Sequence, residues 1–516
     1  MAGQGMAGGK WRIKSLDAVL ATAEKKSLHR SLGPIQLTLL GIGGIIGTGI
    51  FVLTAEAAQK AGPGMMMSFV IAGGVSAVAA LCYAELAAMV PVSGSAYTYS
   101  YAVLGELIAW LVGWALILEY AVAASAVSVG WSGYIVGLLA HLPHPIVIPT
   151  ALAAGPYAGG VVNLLAVLIA LVITVLLVIG TRESANVNAV LVAIKLVALA
   201  AFVWLALPVM HDANFHPFAP LGTSGIVSAA ASIFFAYVGF DAVSTAAEET
   251  KDPQRNLPIG LIGSLAICTI IYLLVAAGAI GSYGAQPVFS LTGESLDPGS
   301  MALQARCTGL TVQPLVCSKE ALAHVLRSIH HPFVGNLLGL AAGIALPTVI
   351  LMMIYGQTRI FFVMSRDGLL PSVLSKVHPR FHTPHVVTWI TGVAVAFAAA
   401  FLPVGQLADI SNSGTLFAFA AVSLAVMVLR HTQPDRKRPF RTPWVYLFGT
   451  LSVIGCVVLF IFLPWQAKVL FPVWSLVGLA FYYAYGYRHS HVGRGHPEVP
   501  ELDDDAPSGL ISDEAR

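Results

Sequence analysis

Charge is scarce in this chain. Its 516 residues include 25 acidic and 27 basic side chains, so only 10% are charged while 57% are hydrophobic. A soluble domain carries about 25% charged residues. The imbalance excludes an ordinary soluble fold and predicts a multi-pass protein of the lipid bilayer. The net charge of +2 supplies no basic field, so nucleic acid is not an expected partner. Cysteine is also sparse. Cys82, Cys268 and Cys456 fall in apolar runs and read as small buried residues. Cys307 and Cys317 share the longest polar loop, but their spacing lacks the short pairings of a zinc site, and no metal is expected. No glycine-rich loop ends in Gly-Lys-Ser/Thr, so nothing cradles ATP phosphates. No nucleophile–base constellation and no soluble catalytic domain appear. An enzyme is therefore not expected, nor a cofactor. Any work this chain performs on a solute is then expected to draw on an ion gradient or on exchange.

What is abundant is long apolar runs. Twelve reach 18 residues or more: 35–58, 66–90, 104–138, 161–180, 187–208, 223–248, 258–282, 334–363, 386–403, 408–429, 443–464 and 468–487. The tail 1–34 is polar and basic with no hydrophobic signal core, so no cleaved signal peptide is expected. Lysine and arginine cluster on one side of the spans. Lys10, Arg12, Lys14, Lys25, Lys26 and Arg30 precede the first, and Arg430, Arg436, Lys437, Arg438 and Arg441 follow the tenth. The positive-inside rule then puts both termini in the cytoplasm. The loop 283–333 faces out. An oxidising exterior allows a Cys307–Cys317 disulfide there, and two free thiols fit as well. Residues 321–329 have helical composition, suited to capping the outer entrance. The tail 488–516, with its acidic stretch 501–505, is expected to be disordered.

The first span contains Gly41, Gly43, Gly44, Gly47 and Gly49 within nine residues. Each glycine costs roughly 1 kcal/mol of helix propensity against alanine. Backbone groups cannot face lipid unpaired. The stretch is either a small-residue packing face, with Gly43 and Gly47 correctly spaced, or a helix broken where it faces protein or ligand. The sixth span decides between them. In Ser232–Glu249 the apolar helix is interrupted by Gly239 and Asp241. Two interruptions five spans apart mark an inverted repeat with a binding site between the breaks. Free N–H groups and positive helix ends suit a carboxylate, and free carbonyls suit an ammonium. A small ligand carrying both is an α-amino acid.

Four motifs now carry a family resemblance: Gly41–Leu53; Tyr83-Ala-Glu85-Leu with the segment Pro91–Tyr99; Phe234–Glu249 followed by Asn256-Leu-Pro258; and Ser365–Pro371. Together, over about residues 30–490, the chain resembles the amino-acid/polyamine/organocation superfamily, and within it the bacterial branch of the cationic amino-acid transporters. The resemblance implies an all-α membrane protein of LeuT type. Spans one to five (35–208) and six to ten (209–430) would form a five-plus-five inverted repeat with discontinuous helices 1 and 6. Residues 431–487 would supply two peripheral helices. It places the substrate carboxylate on the N–H groups of Thr48 and Gly49. The substrate amine falls on carbonyls of Ile45, Phe235 and Val238, with Ala236 and Tyr237 in the same stretch. Phe235 and Tyr237 either close over the ligand or simply pack the core. Gly43, Gly44, Gly47 and Gly239 form the breaks. The bacterial inner membrane is the expected location, and a small accessory membrane subunit a conceivable partner.

Charges within spans are costly, by about 2.5 kcal/mol at least, and are candidates for function. Glu119 in span three resembles the acidic residue that the family sets beside the substrate side chain; the alternative is a polar anchor. Lys195 in span five resembles a lysine beside the broken first helix. A buried lysine has a lowered pKa, so it can release a proton in a coupling role, or else stay a permanent ammonium. Asp241 is expected to brace the lower half of span six. Glu85 and Glu106 read as inner-gate or interfacial residues, and Arg366 and Asp367 as gate ion pairs or solvated loop residues. Span eight should wall the pocket around 346–350. The leading expectation is a proton-coupled symporter of L-amino acids. The alternatives are an exchanger on the same scaffold and, less favoured, a channel or membrane-embedded sensor.

Overall fold

The computed structural model describes residues 12–17, 19, 32–92, 94–180, 185–381 and 383–495. The described secondary structure is helical, with three isolated β-bridges and no strand. Eight helical stretches are long and apolar enough to cross a membrane. Four shorter apolar helices accompany them: Pro34–Ile45, Leu164–Ile179, Gly222–Tyr237 and His385–Phe401.

The longer or site-forming elements are numbered in chain order. The first predicted span is not one helix but three pieces: α1 (Pro34–Ile45), α2 (Thr48–Phe51) and α3 (Leu53–Ala61). Next come α4 (Met65–Met89), α5 (Ser95–Val103), α6 (Glu106–Ala140), α7 (Leu164–Ile179) and α8 (Ala185–Ala206). The sixth predicted span is likewise split into α9 (Gly222–Ile233), a tight turn Phe234–Tyr237, and α10 (Ala242–Thr245). The remainder are α11 (Pro253–Tyr283), α12 (Met301–Thr308), α13 (Ala321–Ser328), α14 (Pro332–Arg366), α15 (His385–Phe401), α16 (Val404–Thr432), α17 (Val445–Phe462) and α18 (Trp465–Phe481).

α6 is the central post. It packs along α14 and α16, and 78% of its most apolar stretch is buried, against 28% for α17. The broken helices lie beside it, with α11 running along α1 and α4. α8, α17 and α18 expose rows of large aliphatic and aromatic residues at the periphery, as lipid contact requires.

Two ends of the bundle differ in chemistry. At the loop end, Cys307 and Cys317 form a disulfide with Cα atoms 5.8 Å apart. Beyond it, α13 buries Leu322, Ala323, Val325 and Leu326 against the bundle. At the basic end, the segment at 12–17 reaches into the body. The chain also stays folded past 488, where the expected disordered tail was to begin. Ser490 is buried and donates to Glu106, and the His491 N–H donates to the Asp367 carbonyl at 3.2 Å. The acidic stretch 501–505 lies outside the described residues.

Candidate functional site

The two breaks meet. Gly239 has φ +114, a conformation that disfavours any side chain, and a Cβ there would lie 2.8 Å from the Gly44 carbonyl carbon and oxygen. A Cβ on Gly49 would fall 2.3 Å from the Cα of Ala236. Glycine is therefore required because backbone touches backbone between the first and sixth spans. Gly47 differs: a Cβ there meets Val349 of α14 at an ordinary 3.5 Å, so its role is the turn itself. Ile46 and Gly47 leave the helix, with ψ 90 and −148.

Breaking a helix frees backbone groups, and side chains from distant elements take up several of them. The Lys195 ammonium on α8 donates to the Gly43 carbonyl at 2.9 Å. The Tyr272 hydroxyl on α11 donates to the Ile45 carbonyl at 2.8 Å. The Tyr134 hydroxyl on α6 donates to the Phe51 carbonyl, where α2 kinks into α3. Asn412 on α16 donates to the Ala231 and Ser232 carbonyls at the end of α9. The Phe235 carbonyl takes the Val238 N–H at 3.2 Å, closing the turn. By contrast, the N–H groups of Thr48 and Gly49 open a new helix and have no intrahelical acceptor.

Glu119 is fully buried, and neither carboxylate oxygen has a hydrogen-bond partner among the described residues. Its polar neighbours are Asp241 and Thr415. The Ser411 hydroxyl holds the Glu119 carbonyl, and Gly414 leaves room beside its Cβ. Asp241 accepts from the Tyr120 hydroxyl at 2.9 Å, and its carbonyl accepts from Ser244. This places Asp241 as a brace joining the sixth span to α6. The Thr48 hydroxyl is buried without a described partner.

Other expected site residues fall elsewhere. The Tyr237 ring packs on Tyr272 and its hydroxyl donates to the Phe69 carbonyl at 3.0 Å, so it points into α4 and packs the core. Glu85 is bound by Arg430 and lies 3.2 Å from Arg438, with the Thr442 N–H also donating to it. It ties α4 to the loop after α16. The basic-end network draws on the expected Asp367 and Glu106, with partners from the N-terminal segment. Lys14 pairs with Asp367 at 2.8 Å, and Tyr97 donates to the same carboxylate. Arg12 pairs with Glu106, which also accepts from Tyr101 and Tyr482. At the loop end, Lys60 contacts Ser232 and Asp409, joining α3, α9 and α16.

Sequence reasoning passed over Gly130, Lys60, Asp409, Asn412 and Tyr272. Two signals were visible. The run Asp409-Ile-Ser-Asn-Ser-Gly-Thr415 is polar inside an apolar span, and α6 carries Gly130 with Gly133 and Gly137 close behind it. A Cβ on Gly130 would lie 1.9 Å from the Thr48 methyl.

The comparisons with known proteins identify the family. Residues 32–484 match the model of a family described as amino acid permease. The chain is 45% identical over 494 residues to the branched-chain amino acid permease BcaP of Bacillus subtilis, covering 95% of this chain and 100% of that one. It is 41% identical over 483 residues to the methylthioribose transporter of the same organism, covering 93% and 98%. The vacuolar cationic amino acid transporter 4 of Arabidopsis thaliana is 36% identical over 436 residues, covering 82% and 67%. These relatives are transporters rather than enzymes, and a match spanning nearly the whole membrane domain leaves one assignment: the chain belongs to the amino acid permease family of the amino-acid/polyamine/organocation superfamily.

Proposed function

We propose that this transporter is a secondary active carrier of L-amino acids that couples uptake to protons by alternating access around the two breaks. The observation that carries the proposal is the close approach of Gly44 and Gly239 beside the N–H groups of Thr48 and Gly49, which have no intrahelical acceptor. We read the four shorter apolar helices together with the eight long ones as twelve spans, ten forming a LeuT-type five-plus-five repeat and two peripheral to it. Both termini would then lie in the cytoplasm of a bacterial inner membrane. The substrate carboxylate sits on Thr48 and Gly49, and its amine on the carbonyl side of Ile45, Phe235 and Val238. Relatives named for branched-chain and for cationic amino acids support the substrate class. Glu119 faces the substrate side chain, and Val349 supplies apolar wall.

Lys195 fits a coupling role because its ammonium holds the freed carbonyl of a helix that must move. Deprotonation would weaken that grip and release α1. The Lys14–Asp367 and Arg12–Glu106 pairs close the basic end, and the Lys60–Asp409 pair closes the loop end. Uptake into proteoliposomes of labelled leucine, alanine and lysine, under an inward proton gradient, tests the proposal. Concentrative uptake that a protonophore abolishes is expected. Uptake that ignores the gradient and requires internal substrate would make the protein an exchanger. Currents without saturable uptake would make it a channel.

A further inference from the structure

A second chemistry-bearing site lies away from the breaks, at the basic end. The loop 433–444 carries Arg436, Lys437, Arg438 and Arg441 against one acid, Asp435. Three of the surrounding arginines already face acids, though Arg430 holds Glu85 through Nε and Nη2 and not through Nη1. Arg430 and Arg438 flank Glu85, and Arg436 pairs with Asp17 at 2.8 Å. Arg441 and Lys437 make no ion pair among the described residues. Arg441 lines a cavity of about 550 Å³ together with Arg430, Pro443, Trp444, Tyr446 and Leu447. Trp444 is 76% exposed and holds φ +38, a strained conformation for a tryptophan.

Below this cavity, α17 presents Leu447, Leu451, Ile454 and Val458 along one exposed face. The arrangement joins three features: a net positive mouth, an aromatic rim of the kind found at headgroup depth, and an apolar track running into the bilayer. A free phosphate would use only the first. We infer that the Arg441–Trp444–Tyr446 cavity binds an anionic phospholipid, its phosphate at Arg441 and Arg430 and its acyl chain along α17. Glu85 couples this site to α4, because the arginine that would receive the phosphate also holds the carboxylate. The inference rests on the chain spanning a membrane and not on its substrate or coupling ion.

The test uses the full chain in nanodiscs made with brominated phosphatidylglycerol or brominated phosphatidylcholine at equal mole fraction. The Trp444 contribution to fluorescence is isolated by subtracting a Trp444→Phe variant. Stronger quenching by phosphatidylglycerol is expected. Arg441→Gln should lower the apparent affinity for that lipid about fivefold, the loss for one basic residue at an anionic surface, while Lys437→Gln has a smaller effect. Arg441→Lys should retain most of the preference. Equal quenching by the two lipids would overturn the inference. So would an equal effect of Lys437→Gln, which would mean diffuse attraction to the surface. If inorganic phosphate in detergent perturbs Trp444 as strongly as the lipid does, the site is a free-anion site and the lipid assignment fails. Arg441 is exposed and holds no ion pair among the described residues, so its substitution leaves folding intact.

Discussion

The Lys195 ammonium lies 2.9 Å from the Gly43 carbonyl oxygen, although 152 positions separate them in the chain. A Cβ on Gly43 would approach Val192 at 3.0 Å and Asn188 at 3.2 Å, so the glycine is what lets α8 come so close. A buried ammonium thus replaces part of the helical hydrogen bonding that the first break gives up. Lys195→Met removes that donor and keeps the approximate volume. It should cost about 1–3 kcal/mol for the carbonyl left unpaired and abolish pH-dependent accumulation in proteoliposomes. Unchanged concentrative uptake would remove Lys195 from coupling.

Glu119 makes no hydrogen bond through its carboxylate among the described residues, so Glu119→Gln should leave the fold intact. Uptake of lysine or arginine should weaken by about tenfold or more, on the order of one charge-assisted hydrogen bond. Alanine and leucine should change less. An equal loss for all four substrates would make Glu119 a scaffold residue.

The contact between Gly130 and Thr48 predicts a compensating pair. Gly130→Ala places a methyl 1.9 Å from the Thr48 methyl and should destabilise by about 1–3 kcal/mol through overpacking. Thr48→Ser removes that methyl and should recover much of the thermal stability in the double variant. Additive effects of the two substitutions would show that the sites do not touch.

Lys14 and Asp367 form a buried pair at the basic end, and the proposed transport cycle makes it a latch. Lys14→Gln should open it and expose the interior below the second break. A cysteine in place of buried Ser244 should then react severalfold faster with a polar maleimide. The native cysteines give low background, being buried or disulfide-bonded. Unchanged labelling would count against a latch.

At the loop end, burial raises the Glu320 carboxyl to about 7, outweighing the opposing pull of Arg327, with which it is paired. His141 lies 3.9 Å away at the end of α6, and Tyr134 is a further neighbour. His324 on α13 is pushed down by burial, with Arg327 and His141 adding to the shift. A carboxyl whose folded value is raised binds its proton more tightly when closed. Its stabilisation of the docked α13 is therefore complete below about pH 4.5 and is lost as pH rises through about 7. Hydrogen exchange of Ala321–Ser328, corrected for intrinsic rate, should quicken between pH 5 and 8. Glu320→Gln should flatten that dependence. A profile unaltered by the substitution would assign the effect elsewhere.

Much of the fold was legible because the bilayer leaves few choices. A long apolar run must be a helix, and five glycines around Gly44 can be tolerated only where backbone meets protein. The second interruption at Gly239 was visible for the same reason. Less was legible at the partners. Nothing in the neighbourhood of Tyr272 or Asn412 indicates that one would reach Ile45 and the other Ala231. Glu85 read as a gate residue because it lies near the end of its span. Its arginine partners stand more than 340 positions away in the chain. Tyr237 sits within the break, yet the local turn aims its ring at Phe69.

The sequence by itself determined that this protein lives in a membrane and that its first and sixth spans cannot run unbroken, because both follow from local composition and the cost of unpaired backbone in lipid. Only the tertiary structure decided which distant side chains satisfy the freed groups and which charges pair at each end. Those choices depend on how helices far apart in the chain pack, and hydrophobic pattern carries no record of that.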